Sequence, residues 1–184
     1  TLSSAEEHAP IIERLIASGA ETVSDCGGSA TNSLVAASNF GAKCFHTCKV
    51  SDDQDGVKYL ESLKKAGVGH KGNMASAETT PTGKCLILVT PDAKRTMTTA
   101  LNVSSLMDED DLDLDQISNS KIFYIEGYMV TSEENYEVTL RALNHLQSFP
   151  DVKIAISLSD PGIVMGFKDK FYEMESFGLD YIFG

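Results

Sequence analysis

Apolar and polar positions along the chain change period repeatedly, and the changes mark out its elements. Residues 11–18, IIERLIAS, carry apolar side chains at helical spacing, with Glu6 and Glu7 placed to favour a helix start. The stretch SDCGGSATNSLVAASNFGA runs from a double glycine through small and apolar residues to Gly41, which suits the C′ position of a helix. Residues 42–50, AKCFHTCKV, predict a strand. Asp52 or Asp53 is placed to cap a helix that runs to Lys65 and stops at AG. Strands are predicted over residues 85–90 and 95–101, with a turn opened by PD between them. Residues 108–115, DEDDLDLD, predict an acidic helix or loop.

KIFYIEGYMV then begins as a buried strand and breaks at Gly127. Residues 132–148 predict a helix with Ser132 as N-cap and Leu140, Leu143 and Leu146 among its apolar positions. VKIAISLS predicts another buried strand, a helix follows Pro161, and LDYIF predicts a last strand. Apolar strands alternating with helices predict an α/β fold with a mainly parallel sheet.

The chain has 184 residues, enough for one domain with a sizeable core. Its 27 acidic and 15 basic residues give a formal net charge of −12. Such a surface repels phosphate backbones and anionic membranes, so neither a nucleic-acid polymer nor a membrane is an expected partner. A small anion would need a local site of its own. The cysteines, Cys26, Cys44, Cys48 and Cys85, are too few for a disulfide scaffold, and a reduced, cytoplasmic setting is expected. No targeting segment is expected, because TLSSAEEHAP carries acids where a leader carries bases.

Several motifs fail. Gly83-Lys84 is followed by Cys85, so no P-loop forms, and no G-x-G-x-x-G follows a strand. Cys44, His46 and Cys48 on one short strand diverge too little to wrap tetrahedral zinc, so no metal site is expected there. Asp111, Asp113 and Asp115 mimic a calcium loop, but Gln116 and Ile122 stand where Gly and Glu are needed, which leaves a solvated acidic face.

CGGSATNSLVAASNFGAKCFHTCKVSDDQDG is the most informative stretch. Gly27, Gly28, Asn32, Gly41 and the Lys49-Val50-Ser51-Asp52-Asp53 turn resemble the first signature of the ribokinase (PfkB) family of carbohydrate and nucleoside kinases. Ser51 departs from the family's usual Gly, and Leu34 from its usual small residue. TPTGKCLILVTPDAKRTM resembles the family's lid strands. GGSATN, PTGKC, FYIEGYMVT, SLSDP and DYIFG resemble the adenosine kinase branch, so the likeness runs in order over about residues 23–184.

The resemblance implies a ribokinase-like α/β fold, with helices on both faces of the sheet and a small β lid at about residues 70–102, all within one partial kinase domain over 1–184. It implies ATP-dependent phosphorylation of the 5′-hydroxyl of adenosine, with magnesium, by the intact protein. Alternatives are a kinase of the same family acting on another sugar or nucleoside, and a non-catalytic binding fragment. A small-molecule nucleoside or sugar is the implied partner, with a monomer or homodimer as the assembly.

The family's N-x-x-E motif and the G-A-G-D that carries its catalytic base are expected outside residues 1–184, which alone are expected to be inactive. Resemblance assigns Gly28, Ser29 and Asn32 to the ribose, with Gly27 beside them. The chemistry agrees: an Asn amide can both donate to and accept from a diol, and glycine lets backbone approach a sugar. Resemblance places Arg95 at the transferred phosphate, where a guanidinium can bridge two oxygens. By position Cys85, Met97, Thr99, Leu101, Tyr128 and Met129 are candidates to line an adenine slot. For each group the alternative is structural: a glycine turn that packs a helix, a solvated turn charge, ordinary core.

Overall fold

The computed structural model describes residues 2–184. Helix α1 (Ala5–Ala17) starts earlier than its apolar pattern implies. Ser4 accepts the Glu7 N–H while the Glu7 carboxylate accepts the Ser4 N–H, and this reciprocal cap carries the helix through Pro10. Helix α2 (Ser29–Asn39) follows Gly28 and ends at Phe40 with Gly41 at φ 89°, the left-handed stop that the sequence predicts.

The strand predicted at 42–50 is two strands, β1 (Cys44–His46) and β2 (Val50–Ser51). Lys49, between them, turns to the carboxylates of Asp108 and Asp111. Cys48 therefore lies outside the strand, and the single face that would have carried Cys44, His46 and Cys48 does not exist. Helix α3 (Gln54–Lys65) is capped by Asp53 and buries Leu63. Two short strands not predicted from the sequence follow, β3 (Val68–His70) and β4 (Met74–Ala75). They pair in parallel with β1 and β2 respectively.

Strands β5 (Lys84–Val89) and β6 (Arg95–Ala100) form an antiparallel flap. The acidic segment becomes a 3-10 turn, Glu109–Asp111, and then α4 (Leu114–Ser118), capped by Asp113. Asp111 is not part of a solvated face: it is buried and paired to Lys49 at 2.9 Å. Burial opposes the Lys49 charge, but the two carboxylates outweigh it and raise its pKa.

Strand β7 (Ile122–Glu126), helix α5 (Glu133–Leu146), strand β8 (Lys153–Ser157), helices α6 (Pro161–Gly166) and α7 (Lys168–Glu175), and strand β9 (Tyr181–Phe183) complete the chain. The three strands form a parallel sheet in the order β7-β8-β9. Ser132 caps α5, whose buried Val138, Ala142, Leu143 and Leu146 join Ile125, Ile154 and Ile156 in the main core. Each such aliphatic side chain contributes about 1.5–3 kcal/mol when fully buried. No described helix is long and apolar enough to cross a membrane.

Candidate functional site

The predicted site residues fall on three parts of this frame. The first is the turn before α2. Gly28 sits at φ 120°, ψ 146°, a conformation that side chains strain to adopt, and it offers no side-chain cap. The first helical bond runs from the Asn32 N–H to the Gly28 carbonyl at 2.9 Å, so the preceding N–H groups of the first turn stay free of helix partners. Gly27, Gly28, Ser29 and Asn32 are all exposed. Among the described residues the Asn32 amide makes no side-chain hydrogen bond, so its donors and acceptor face outward.

Thr31, the next residue inward, is the buried member of α2. Its hydroxyl lies 2.5 Å from the Tyr59 hydroxyl and 3.4 Å from His46 Nε2, and Tyr59 and His46 are 3.2 Å apart. Burial, with a smaller contribution from His70, lowers the His46 pKa to about 4, so the ring is neutral at pH 7. Burial pushes Tyr59 up to about 12 against the opposing bond from Thr31. Cys48 is likewise pushed up to about 12, by burial and then Asp111, and stays a thiol.

The second part is the flap. Its register pairs Cys85 with Thr99, Ile87 with Met97 and Val89 with Arg95. Directly paired residues share a face, so the predicted Cys85, Arg95, Met97 and Thr99 stand on one side of the flap. The Thr99 hydroxyl donates to Cys85 Sγ at 3.4 Å. Arg95 is exposed and makes no ion pair among the described residues. Leu101 lies beyond β6, half-buried at the entry to the 3-10 turn Asn102–Ser105.

The flap is pinned at its root by a clasp between Asp53, the cap of α3, and Thr82. Asp53 accepts the Gly56 N–H at 2.8 Å, the Thr82 N–H at 2.8 Å and the Thr82 hydroxyl at 2.7 Å. Thr82 Oγ1 in turn accepts the Ser51 N–H at 3.0 Å. A Cβ on Gly56 would meet the Ser51 carbonyl at 2.0 Å, so only glycine fits there. Burial raises the Asp53 carboxyl, but these bonds outweigh it and hold its pKa below the ordinary value.

The third part is the 3-10 turn Gly127–Thr131 at the C-terminal end of β7. Tyr128 is about half exposed, whereas Met129 is half-buried against the main core. Close by, Glu126 accepts the Tyr124 hydroxyl at 2.9 Å and the Ser159 hydroxyl at 3.1 Å. Ser159 adopts φ 65°, an uncommon conformation for a non-glycine residue. Glu126 lies within FYIEGYMVT and Ser159 within SLSDP, though the sequence assigns a role to neither.

Helix α2 packs on β1, β3 and β7, which brings the glycine turn's helix onto the strand that leads to Tyr128. No hydrogen bond or ion pair among the described residues joins Arg95 or Cys85 to the glycine turn, so the flap face stands apart from it. The described residues also gather no three His, Cys, Asp or Glu groups fit to hold a metal ion. None of the described residues therefore form such a group for the magnesium that the resemblance implies.

Comparison with known proteins places this geometry. Residues 5–175 match the family described as pfkB family carbohydrate kinase. The 5-dehydro-2-deoxygluconokinase of Bacillus subtilis (strain 168) is 26% identical over 144 residues, covering 72% of this chain and 41% of that protein. The solved adenosine kinase from Sinorhizobium meliloti superposes with a TM-score of 0.88 at 25% identity, over 99% of this chain and 54% of its own. A probable sugar kinase from Rhizobium etli CFN 42 superposes at 0.87 with 24% identity, again over 99% and 54%. The chain thus spans about half the length of these relatives. By the family match over most of its length and the close superposition on these kinases, the chain has the ribokinase-like α/β fold and belongs to the pfkB family of carbohydrate kinases.

Proposed function

We propose that the whole protein transfers the γ-phosphoryl group of ATP to the 5′-hydroxyl of adenosine, giving AMP. The observation that carries this is the open GGSATN turn, with an unpartnered Asn32 amide beside exposed Gly27, Gly28 and Ser29. In this proposal the Asn32 amide pairs with the ribose diol, and the glycine backbone closes on the sugar without a Cβ in the way. Tyr128 and Met129 offer a ring and a thioether to the base, and Cys85, Met97 and Thr99 close over it from the flap, with Leu101 just beyond the flap's root. Arg95 contributes a bidentate contact to the phosphoryl oxygens as they gain charge. The likeness to the Sinorhizobium adenosine kinase supports this substrate class.

A second reading is a sugar kinase of the same family, favoured by the identity to the Bacillus 5-dehydro-2-deoxygluconokinase. The test is ATP-dependent product formation by the full-length protein on adenosine, other nucleosides and a panel of sugars. AMP formation with kcat/KM highest for adenosine supports the first reading; preference for a free sugar selects the second. Asn32→Ala is expected to weaken ribose binding by about 1–3 kcal/mol, the usual cost of leaving polar partners unpaired. The same variant should penalise 2′- and 3′-deoxyadenosine less than the parent does.

A further inference from the structure

We infer that Thr31, Tyr59 and His46 form a positioning triad that sets the direction in which the sugar-binding turn presents Asn32 and the Gly27-Gly28 backbone. The inference rests on the ribose role proposed for that turn and deepens it. Three elements converge on one point: Thr31 from the first turn of α2, His46 from the end of β1, and Tyr59 from the middle of α3. Their polar atoms lie within 2.5, 3.2 and 3.4 Å of one another. Thr31 also lies directly against the turn, since a Cβ on Gly28 would sit 3.2 Å from its hydroxyl oxygen.

The helix start makes this anchor matter. Most helices begin with a side-chain cap that fixes the entry of the chain, but Gly28 supplies none. The rotation of the first turn about the helix axis is instead fixed three residues further on, at Thr31. Thr31 and Asn32 are neighbours about 100° apart around the axis. Any rotation that relaxes the Thr31 anchor therefore swings the Asn32 amide by the same angle. Hydrogen bonds to a diol fall off steeply with angle, so a small swing costs recognition of the sugar rather than of the base.

The polar partners also suit the task. Three hydroxyl and imidazole groups can satisfy one another only while the ring stays neutral and keeps an acceptor. Its buried position beside His70, its register partner on β3, keeps it so. The unpaired His70 Nδ1 adds no competing bond to the triad. Tyr59 and His46 touch no substrate atom in this account. They act through Thr31, and Thr31 acts through the turn.

The experiment uses the full-length enzyme and the variants Thr31→Val, Thr31→Ser, Tyr59→Phe and Asn32→Ala. It measures kcat and KM for adenosine, 2′-deoxyadenosine and 3′-deoxyadenosine, with thermal unfolding of the ligand-free protein alongside. Thr31→Val keeps the shape and removes the hydroxyl. It is expected to raise KM for adenosine about five- to fiftyfold, more than it lowers kcat, and to narrow the preference for ribose over deoxyribose. Tyr59→Phe is expected to act in the same direction, and Thr31→Ser to restore KM to within about threefold of the parent.

Parent-like KM and deoxy discrimination in both Thr31→Val and Tyr59→Phe, whatever their melting temperatures, would overturn the triad. Should Thr31→Val fail to fold, Tyr59→Phe decides by the same criterion. If Asn32→Ala also leaves the deoxy preference intact, the ribose reading of the turn has failed. If Asn32→Ala loses that preference while Thr31→Val and Tyr59→Phe keep it, only the positioning role has failed.

Discussion

Arg95 opens β6 on an exposed face of the flap and pairs with no carboxylate among the described residues. A free guanidinium on a two-stranded flap gains a fixed geometry only when an anion meets it. In the full-length protein Arg95→Ala is therefore expected to lower kcat by about 10- to 100-fold while KM for adenosine changes less, because the contact strengthens as the phosphoryl oxygens gain charge. Arg95→Lys should recover part of that loss, since an ammonium cannot bridge two oxygens in one plane. Steady-state kinetics of the two variants decides the matter, and an unchanged kcat would return Arg95 to a solvated turn charge. His46 makes a separate prediction for stability. Its pKa of about 4 in the fold lies below the ordinary 6.5, so between these values the unfolded chain binds more protons. Stability from this group is fully present above pH 6.5 and is lost as pH falls toward 4, by up to about 3 kcal/mol. Urea unfolding of His46→Gln should show a shallower decline over that window than the parent.

The flap as an element depends on its root. Residues Ala100 and Val103 are buried where it leaves the body, whereas Ile87, Val89 and Met97 toward its tip are about half or more exposed. Two strands alone are marginal in water, so the Asp53–Thr82 clasp supplies order that the strands themselves lack. Asp53→Asn is expected to cost about 1–3 kcal/mol, because one carboxylate oxygen becomes a donor facing donors. Amide hydrogen exchange should show the loss first at Thr82 and Lys84, before the core strands β7 and β8 open. The flap, helix α5 and strands β7 and β8 were legible because their periodicity is local and runs for five residues or more. Strands β3 and β4 were not, since VGH and MA carry no period and exist only through pairing with β1 and β2. The same reasoning separates the site residues. Gly27, Gly28 and Asn32 stand in one short motif, but Thr31 meets Tyr59 across 28 positions and Asp53 meets Thr82 across 29. Those distances are closed only by the packing of α2 and α3 on the strands.

At the scale of the whole molecule, two surface properties oppose each other. The formal net charge of −12 keeps copies of the chain apart. Among the described residues, however, strand β9 pairs only with β8, and its Tyr181, Ile182 and Phe183 are 49%, 55% and 56% exposed. In residues 1–184 taken alone, such an apolar strand edge leaves backbone groups open to whatever strand comes beside it, a second copy included. Repulsion reaches across about 30 Å in ~10 mM salt but only about 3 Å in ~1 M salt, whereas edge pairing acts at contact. Residues 1–184 taken alone are therefore expected to stay dispersed at low salt and to associate at high salt. Their sedimentation-average mass is expected to rise with salt, and Ile182→Lys to suppress that rise by placing a charge on the edge itself. A preparation kept dilute in salt for storage would stay dispersed, and the same preparation salted for crystallisation would tend to stack along β9.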